Sequence, residues 1–306
     1  EFSLPMKSVS EAMSLRNRLL QRFEKAVTLR DQNERRTLLN VVVVGGGPTG
    51  VELAGAIAEM KKFVLPKDYP DLNFDAMQIS LVEGSPAVLG GMSKHASEKA
   101  LFYLRRLGIN VMLNTKVTDY DGSILSFADG QKINTNTVIW AAGISGVLPD
   151  GLPPELVGRG RRLIVDEFNQ LKDLPDIFAI GDVSIMSTPD YPNGHPQVAQ
   201  VAIQQGLNLA WNLVTLKHQG KLKPFKYIDR GSMATIGRNR AVADLSFLKF
   251  SGFTAWLTWM FVHLMAIVGV KNRMLIFINW MWNYMTYDQS LRLILWAAKR
   301  KSGPLD

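Results

Sequence analysis

Between residues 8 and 29, Ala12, Leu15, Leu19, Leu20 and Phe23 recur at helical spacing and predict one amphipathic helix. A charged break at 31–36 follows, then 38–44, a β-branched run suited to a strand buried on both faces. Gly45-Gly-Gly-Pro-Thr-Gly50 ends that strand, and helical character returns over 51–63. A polar, proline-containing insertion at 61–78 precedes a second strand at 79–83 and a second helix over 93–107, with Gly108 as its stop. Short strand-like pieces around Val111 and Ile124, with turns at Asp121-Gly122 and Asp129-Gly130, lead to a further strand at 137–140. Strand, glycine turn, helix, strand, helix, strand is the order of a right-handed parallel α/β unit.

The pattern changes at 146–162, where Gly and Pro predict a crossing between domains. Beyond it, 163–165 and 177–180 predict short strands, the second ending at Gly181-Asp182. Residues 196–218 predict a long helix, and 232–244 are strand-like about a turn at 237–239. Over 250–270 the only ionisable side chain is His263, and after Lys271, Asn272 and Arg273 the run 274–287 is again uncharged. The first run has the length of a membrane span. The two together also fit a pair of amphipathic helices lying in the bilayer interface, or a buried core or dimer helix pair.

Composition narrows these options. A chain of 306 residues with 47% hydrophobic and 20% charged residues is long enough for about two globular domains. It has no cysteine, which excludes a disulfide scaffold, a thiolate metal site and thiol redox chemistry within these residues. Four scattered histidines without an HExxH pattern argue against a catalytic zinc centre, so no metal is expected. The formal net charge of +8 is uneven: residues 217–306 carry 14 Lys+Arg against 4 Asp+Glu. Five of the seven tryptophans (Trp256, Trp259, Trp280, Trp282 and Trp296) lie in that same stretch. Basic charge beside tryptophan and apolar runs points to an anionic lipid surface, and no nucleic-acid motif is present.

The chemistry begins at Gly45-x-Gly47-x-x-Gly50, placed after an apolar strand and at the start of a helix, where a dinucleotide fingerprint belongs. Gly45 permits the tight turn, Gly47 lets the backbone approach a pyrophosphate, and Gly50 lets helix pack on strand. Thr49, in the same turn, is counted with the cofactor-binding residues. Glu83, at the end of the second strand, is positioned to accept hydrogen bonds from an adenosine ribose and to repel a 2′-phosphate, favouring NAD over NADP. A solvated strand-end acid is the competing explanation. Glu52, in the first turns of the helix, is equally explained by the helix dipole.

Five segments, VVVVGGGPTGVELAG (41–55), VIWAAG (138–143), IFAIGD (177–182), AQVAIQQG (199–206) and GSMATIG (231–237), occur in the order found in two-dinucleotide-binding flavoproteins. With the aromatic C-terminal tail, the chain resembles the type II (non-pumping) NADH:quinone oxidoreductases over nearly its whole length. The resemblance implies an α/β fold with a Rossmann-like NADH domain inserted in an FAD domain, and a C-terminal membrane-anchoring helical tail. It implies boundaries of 1–36 for the end of the first FAD segment and linking helix, 37–148 for the NADH domain, 149–245 for the second FAD segment, and 246–306 for the tail. Such enzymes carry an earlier GxGxxG for FAD, and this chain has one copy. The expectation is therefore a fragment lacking about a hundred upstream residues, judged by the length of one dinucleotide-binding half.

Carried over to this sequence, the resemblance implies that Gly181 and Asp182 meet the FAD ribitol and that Ala199 and Gln200 present backbone groups to the flavin pyrimidine edge. Gln200 and Gln204, four apart on one helix, would border the quinone, while Ala142 and Gly143 would lie near the nicotinamide. Glu52 would lie near the nicotinamide and order a proton relay. His195 is expected to cap or pack, His263 to sit at the interface, and Arg238 and Arg240 to serve structure or lipid contact. The implied cofactors are FAD and NAD. The implied partners are NADH, a membrane quinone and a lipid bilayer surface, with a homodimer as a further option and the cytoplasmic face of a bacterial inner membrane as the location. Alternatives are a soluble pyridine nucleotide flavoprotein reductase, a sulfide:quinone or disulfide reductase, and a membrane-bound NAD(H)-binding module without turnover.

Overall fold

Strand β1 (Leu4–Pro5) and helix α1 (Val9–Thr28) open the first unit of the computed structural model, which describes residues 2–286. The Ser8 hydroxyl accepts the Glu11 N–H while the Glu11 carboxylate accepts the Ser8 N–H, a reciprocal cap that fixes where α1 begins. Leu15, Leu19, Leu20 and Phe23 line its buried face, as the spacing predicts. The charged break expected at 31–36 is instead a helix, α2 (Gln32–Leu39). Asp31 caps it by accepting from the amides of Asn33 and Glu34, and Leu38 and Leu39 anchor it in the core. Strand β2 is shortened accordingly to Val41–Val44.

Helix α3 (Pro48–Phe63) runs into α4 (Leu65–Asp68), so the first part of the polar insertion expected at 61–78 is helical. Leu65, Tyr69, Leu72, Phe74 and Met77 are buried there, and Phe23 meets Tyr69 and Phe74 edge-on at centroid distances of 5.8 and 5.9 Å. Next come β3 (Ile79–Val82), α5 (Lys94–Arg106), β4 (Asn110–Met112), the meander β5 (Val117–Tyr120), β6 (Ile124–Phe127) and β7 (Lys132–Asn134), and β8 (Thr137–Trp140). Strands β1, β8, β2, β3 and β4 form, in that order, one parallel sheet. The four valines of β2 are buried on alternate faces: Val41 and Val43 pack with α1 and α3, whereas Val42 and Val44 pack with Leu125, Phe127 and Val138.

The second unit, residues 143–230, holds β9 (Val157–Gly158), β10 (Arg162–Ile164), β11 (Gln170–Leu171), β12 (Leu174–Phe178), β13 (Ser184–Ile185) and α6 (Ala199–Lys217). Its strands pair as β13-β10-β9 and β11-β12 around Leu163, Val165, Leu171, Met186, Val201 and Phe225. The strand expected at 177–180 starts three residues earlier, at Leu174, and ends at Phe178, where it pairs with the short β11.

The chain then returns to the first unit with the meander β14 (Ser232–Thr235), β15 (Ala241–Asp244) and β16 (Lys249–Gly252), followed by α7 (Phe253–Ala266) and α8 (Val270–Thr286). The segment expected as 149–245 is thus divided at 230/231. Ala234, Ile236 and Val242 enter the core of the first unit, and the Asp244 carboxylate accepts both the Ser93 N–H (2.5 Å) and the Ser93 hydroxyl (2.8 Å) at the start of α5. The apolar run 250–270 is not one span: it begins in β16, forms α7, and breaks before α8, where Gly269 takes a φ of +86°. Among the described residues no helix is long and apolar enough to cross a membrane. The last part of the expected tail 246–306, residues 287–306 with Trp296, lies outside the described residues.

Candidate functional site

Strand β2 stops at Gly45, whose φ of +112° turns the chain into α3. A Cβ on Gly45 would lie 2.8 Å from the Ala141–Ala142 peptide, and one on Gly50 would lie 1.8 Å from the Gly45 carbonyl oxygen. Both positions therefore have to be glycine for the elbow to close. Gly47 differs: a Cβ there meets nothing within 4 Å. Gly47 is the N-cap of α3, with Pro48 at the first helical position and Thr49 exposed. The helix leaves its first amides without intrahelical partners, and Pro48 has none to offer, so the Gly47–Gly50 turn presents a small set of N–H donors at the positive end of the dipole. A helix start of this kind can receive a phosphate-sized anion.

Glu83 follows β3 beside this turn. Its Oε2 accepts the Gly46 N–H at 2.5 Å, and its Oε1 accepts the Ser85 N–H and hydroxyl at 2.7 and 2.6 Å. Burial pushes the carboxyl up, but the hydrogen bonds from Ser85, Gly46 and Gly84 outweigh it and hold the group below its ordinary value of 4.5. Glu83 is consequently an ionised acceptor fixed at the elbow. The Leu89 N–H donates to the Gly46 carbonyl (2.7 Å), so both polar groups of residue 46 are spoken for.

Two acids on α3 look away from the elbow. Glu52 Oε1 accepts the Thr235 N–H at 3.2 Å, and burial raises its pKa, partly offset by Thr235 and by His263 and Trp259 on α7. Glu59 accepts the Arg238 N–H, and burial likewise raises it against the opposing effects of Arg238 and Arg240. Arg238 in turn donates to the Asn283 carbonyl (2.7 Å) and lies 4.3 Å from the Tyr284 ring centroid on α8. A cavity of about 420 Å³ opens between these elements, lined by Glu59, Met60, Phe63, Arg238, Trp256, Trp259, Trp280 and Tyr284. His263, on the exposed side of α7, stacks on Trp259 at 3.9 Å and bonds its carbonyl.

In the second unit, Gly181 (φ +70°) donates its N–H to Gln205 Oε1 at 2.7 Å, and Asp182 follows with its carboxylate exposed. Helix α6 starts at Ala199 with no side-chain cap at Val198; the Val201 N–H turns back to the Val198 carbonyl at 3.1 Å, and the Ala199 and Gln200 amides lie ahead of the helix's own bonds. Gln200 is half-buried one residue on. Gln204, expected to border a ligand with Gln200, has both ends of its amide engaged by the Ile228 backbone at 2.9 Å, which gives it a holding role. It lines a cavity of about 650 Å³ with Leu207, Trp211, Phe225 and Ile228. His195 is buried among Tyr191, Phe225 and Tyr227 with neither ring nitrogen hydrogen-bonded; burial, with Arg162 adding, pushes its pKa down, so it packs as a neutral ring.

The first unit thus brings together Gly45, Gly47, Thr49, Gly50, Glu83 and Ala142; Glu52 belongs to its hairpin contact. The second unit brings together Gly181, Asp182, Ala199 and Gln200, with Gly143 at its start. Sequence reasoning missed Ser85, Thr235 and Gln205. The adjacent Gln204-Gln205 pair was the available signal for the last; nothing local marked the other two, which matter through contacts made by folding.

The pyridine nucleotide-disulphide oxidoreductase family model matches residues 3–206, and the NDH2 C-terminal domain model matches 230–287. Among curated proteins, the chain is 36% identical over 295 residues to the type II NADH:quinone oxidoreductase NdhA of Mycobacterium tuberculosis, covering 91% of this chain and 61% of that protein. It is 34% identical to Ndh of the same organism, covering 92% and 62%. The chain spans about three fifths of the length of these relatives. Among solved structures, NDH2 of Plasmodium falciparum in complex with NADH shares the fold at a TM-score of 0.83 and 22% identity, over 96% of this chain and 75% of that one.

Proposed function

The chain belongs to the pyridine nucleotide-disulphide oxidoreductase family, in its type II NADH dehydrogenase branch, and on that premise we propose that it passes electrons from NADH through FAD to a membrane quinone without pumping protons. The observation carrying most weight is that a dinucleotide elbow and an NDH2-type hairpin–helix module are joined through one helix, α3, by Glu52 and Glu59.

In this reading the amides of Gly47, Thr49 and Gly50 bind the NADH pyrophosphate, and Gly45 keeps the turn tight. Glu83, already ionised and fixed, accepts the adenosine ribose hydroxyls and repels a 2′-phosphate. Ala142 and Gly143 present backbone without bulk to the nicotinamide. Gly181, Asp182, Ala199 and Gln200 are the residues that would hold FAD: an exposed carboxylate suits a polyol, and the uncapped start of α6 suits an electron-rich ring edge. Bound FAD supplies a two-electron relay between nicotinamide and quinone. The chain itself binds, orients and excludes water. Gln200 borders the quinone, Gln204 fixes the neighbouring backbone at Ile228, and the Glu52 carboxyl, its pKa raised by burial, orders a proton relay beside Thr235. The exposed apolar side chains of α7 and α8, among them Phe261, Met265, Phe277 and Trp282, support docking on a lipid surface as a peripheral, monotopic protein.

The test is turnover of the FAD-loaded protein on lipid vesicles containing a quinone. The reading expects one quinone reduced for each NADH consumed; NADH consumption without quinone reduction, or no consumption, contradicts it.

A further inference from the structure

Trp140 is the last residue of β8, paired in register with Val44 of β2 on one side and Pro5 of β1 on the other. Two ladders therefore fix its backbone, and Ala141 continues one of them by donating its N–H to the Val44 carbonyl at 2.8 Å. Ala142 is the first residue past the sheet. Its carbonyl accepts the Trp140 indole N–H at 2.7 Å. From the other side, Gly45 presses on the Ala141–Ala142 peptide so closely that a Cβ there would sit 2.8 Å away. Trp140 remains 41% exposed, so burial does not account for an aromatic of this size at a strand end.

We infer that Trp140 is a positioning residue for the nicotinamide half of the dinucleotide, its indole N–H fixing the carbonyl of Ala142 and so the Ala142–Gly143 peptide, which follows the one packed on Gly45. A trans peptide carries its C=O and N–H on opposite sides, so turning the Ala142 carbonyl back onto the indole aims the N–H of the same plane away from the ring. Without the indole bond, that plane loses this anchor, and a bound nicotinamide has to order it at its own cost. The adenosine half is read at the elbow and Glu83, whereas the indole N–H goes to the Ala142 carbonyl. This inference rests on the nucleotide reading of the elbow proposed above.

The experiment compares wild-type chain with Trp140→Phe, which keeps a ring and loses the N–H, for affinity toward NADH and toward ADP-ribose, which lacks the nicotinamide. The variant is expected to bind NADH roughly three- to tenfold more weakly, the scale of one net hydrogen bond. It should bind ADP-ribose as wild type does and melt at the same temperature. Unchanged NADH affinity, or parallel weakening of both ligands, overturns the positioning role. A wild-type chain that bound neither ligand would overturn the nucleotide reading itself, and this inference with it.

Discussion

Glu52 and Thr235 lie 183 residues apart in sequence and meet in a hydrogen bond of 3.2 Å from the Thr235 N–H to Oε1. Two turns along α3, Glu59 repeats the arrangement on the Arg238 N–H of the same hairpin. Helix α3 begins at the glycine elbow and ends against the aromatic α7–α8 pair, so these acids tie the candidate nucleotide site to the C-terminal module.

The tie has a pH signature. Burial raises the Glu52 pKa above 4.5, so between that value and its folded pKa the native state binds more protons than the unfolded one. Stability contributed by this group is therefore present at acid pH and falls as pH rises through that window. Glu52→Gln keeps an oxygen acceptor for Thr235 and removes the charge; it should flatten this part of the fall and match or exceed wild type at neutral pH. Urea unfolding on both sides of the window checks it, and a loss above about 1 kcal/mol at neutral pH would count against it.

Two glycines of one motif should fail differently. Gly50→Ala puts a Cβ at 1.8 Å from the Gly45 carbonyl oxygen and should cost about 1–3 kcal/mol or prevent folding. Gly47→Ala has open space and an ordinary φ of −71°, so melting should stay within about 0.5 kcal/mol of wild type. NADH affinity should nonetheless fall about tenfold or more, because the methyl stands where the pyrophosphate approaches. Thermal melts with NADH titration separate the two.

Glu83 is held ionised by Ser85 and Gly46, so its charge is available against a 2′-phosphate across the working pH range. Glu83→Gln should narrow the preference for NADH over NADPH by roughly tenfold, chiefly by improving NADPH. Paired affinity measurements decide it; an unchanged ratio removes Glu83 from cofactor discrimination.

Membrane docking should depend on α7. Phe261 is 63% and Met265 41% exposed, one turn apart on an apolar helix. Placing charge there, as Phe261→Glu with Met265→Glu, should release the protein from lipid vesicles in sedimentation while leaving NADH affinity unchanged. A double variant that still pelleted with lipid would place the contact elsewhere.

The parallel sheet and its elbow were legible from order alone, because four consecutive valines and a spaced glycine triplet leave little choice of structure. The 61–78 region was not: Leu65, Tyr69, Leu72, Phe74 and Met77 follow no single period, and only the fold shows them filling one core. The tail misled in the other direction. Its uninterrupted apolar composition concealed the pairing of β16 and the break at Gly269. For the site, residue types at the elbow were readable, whereas Ser85, Thr235 and Gln205 act as hydrogen-bond partners that no local pattern marks.

A structure with NADH bound tests the central claim most directly. The account predicts the pyrophosphate on the amides of Gly47, Thr49 and Gly50, with the adenosine ribose against Glu83. An empty turn with the nucleotide held elsewhere would contradict it.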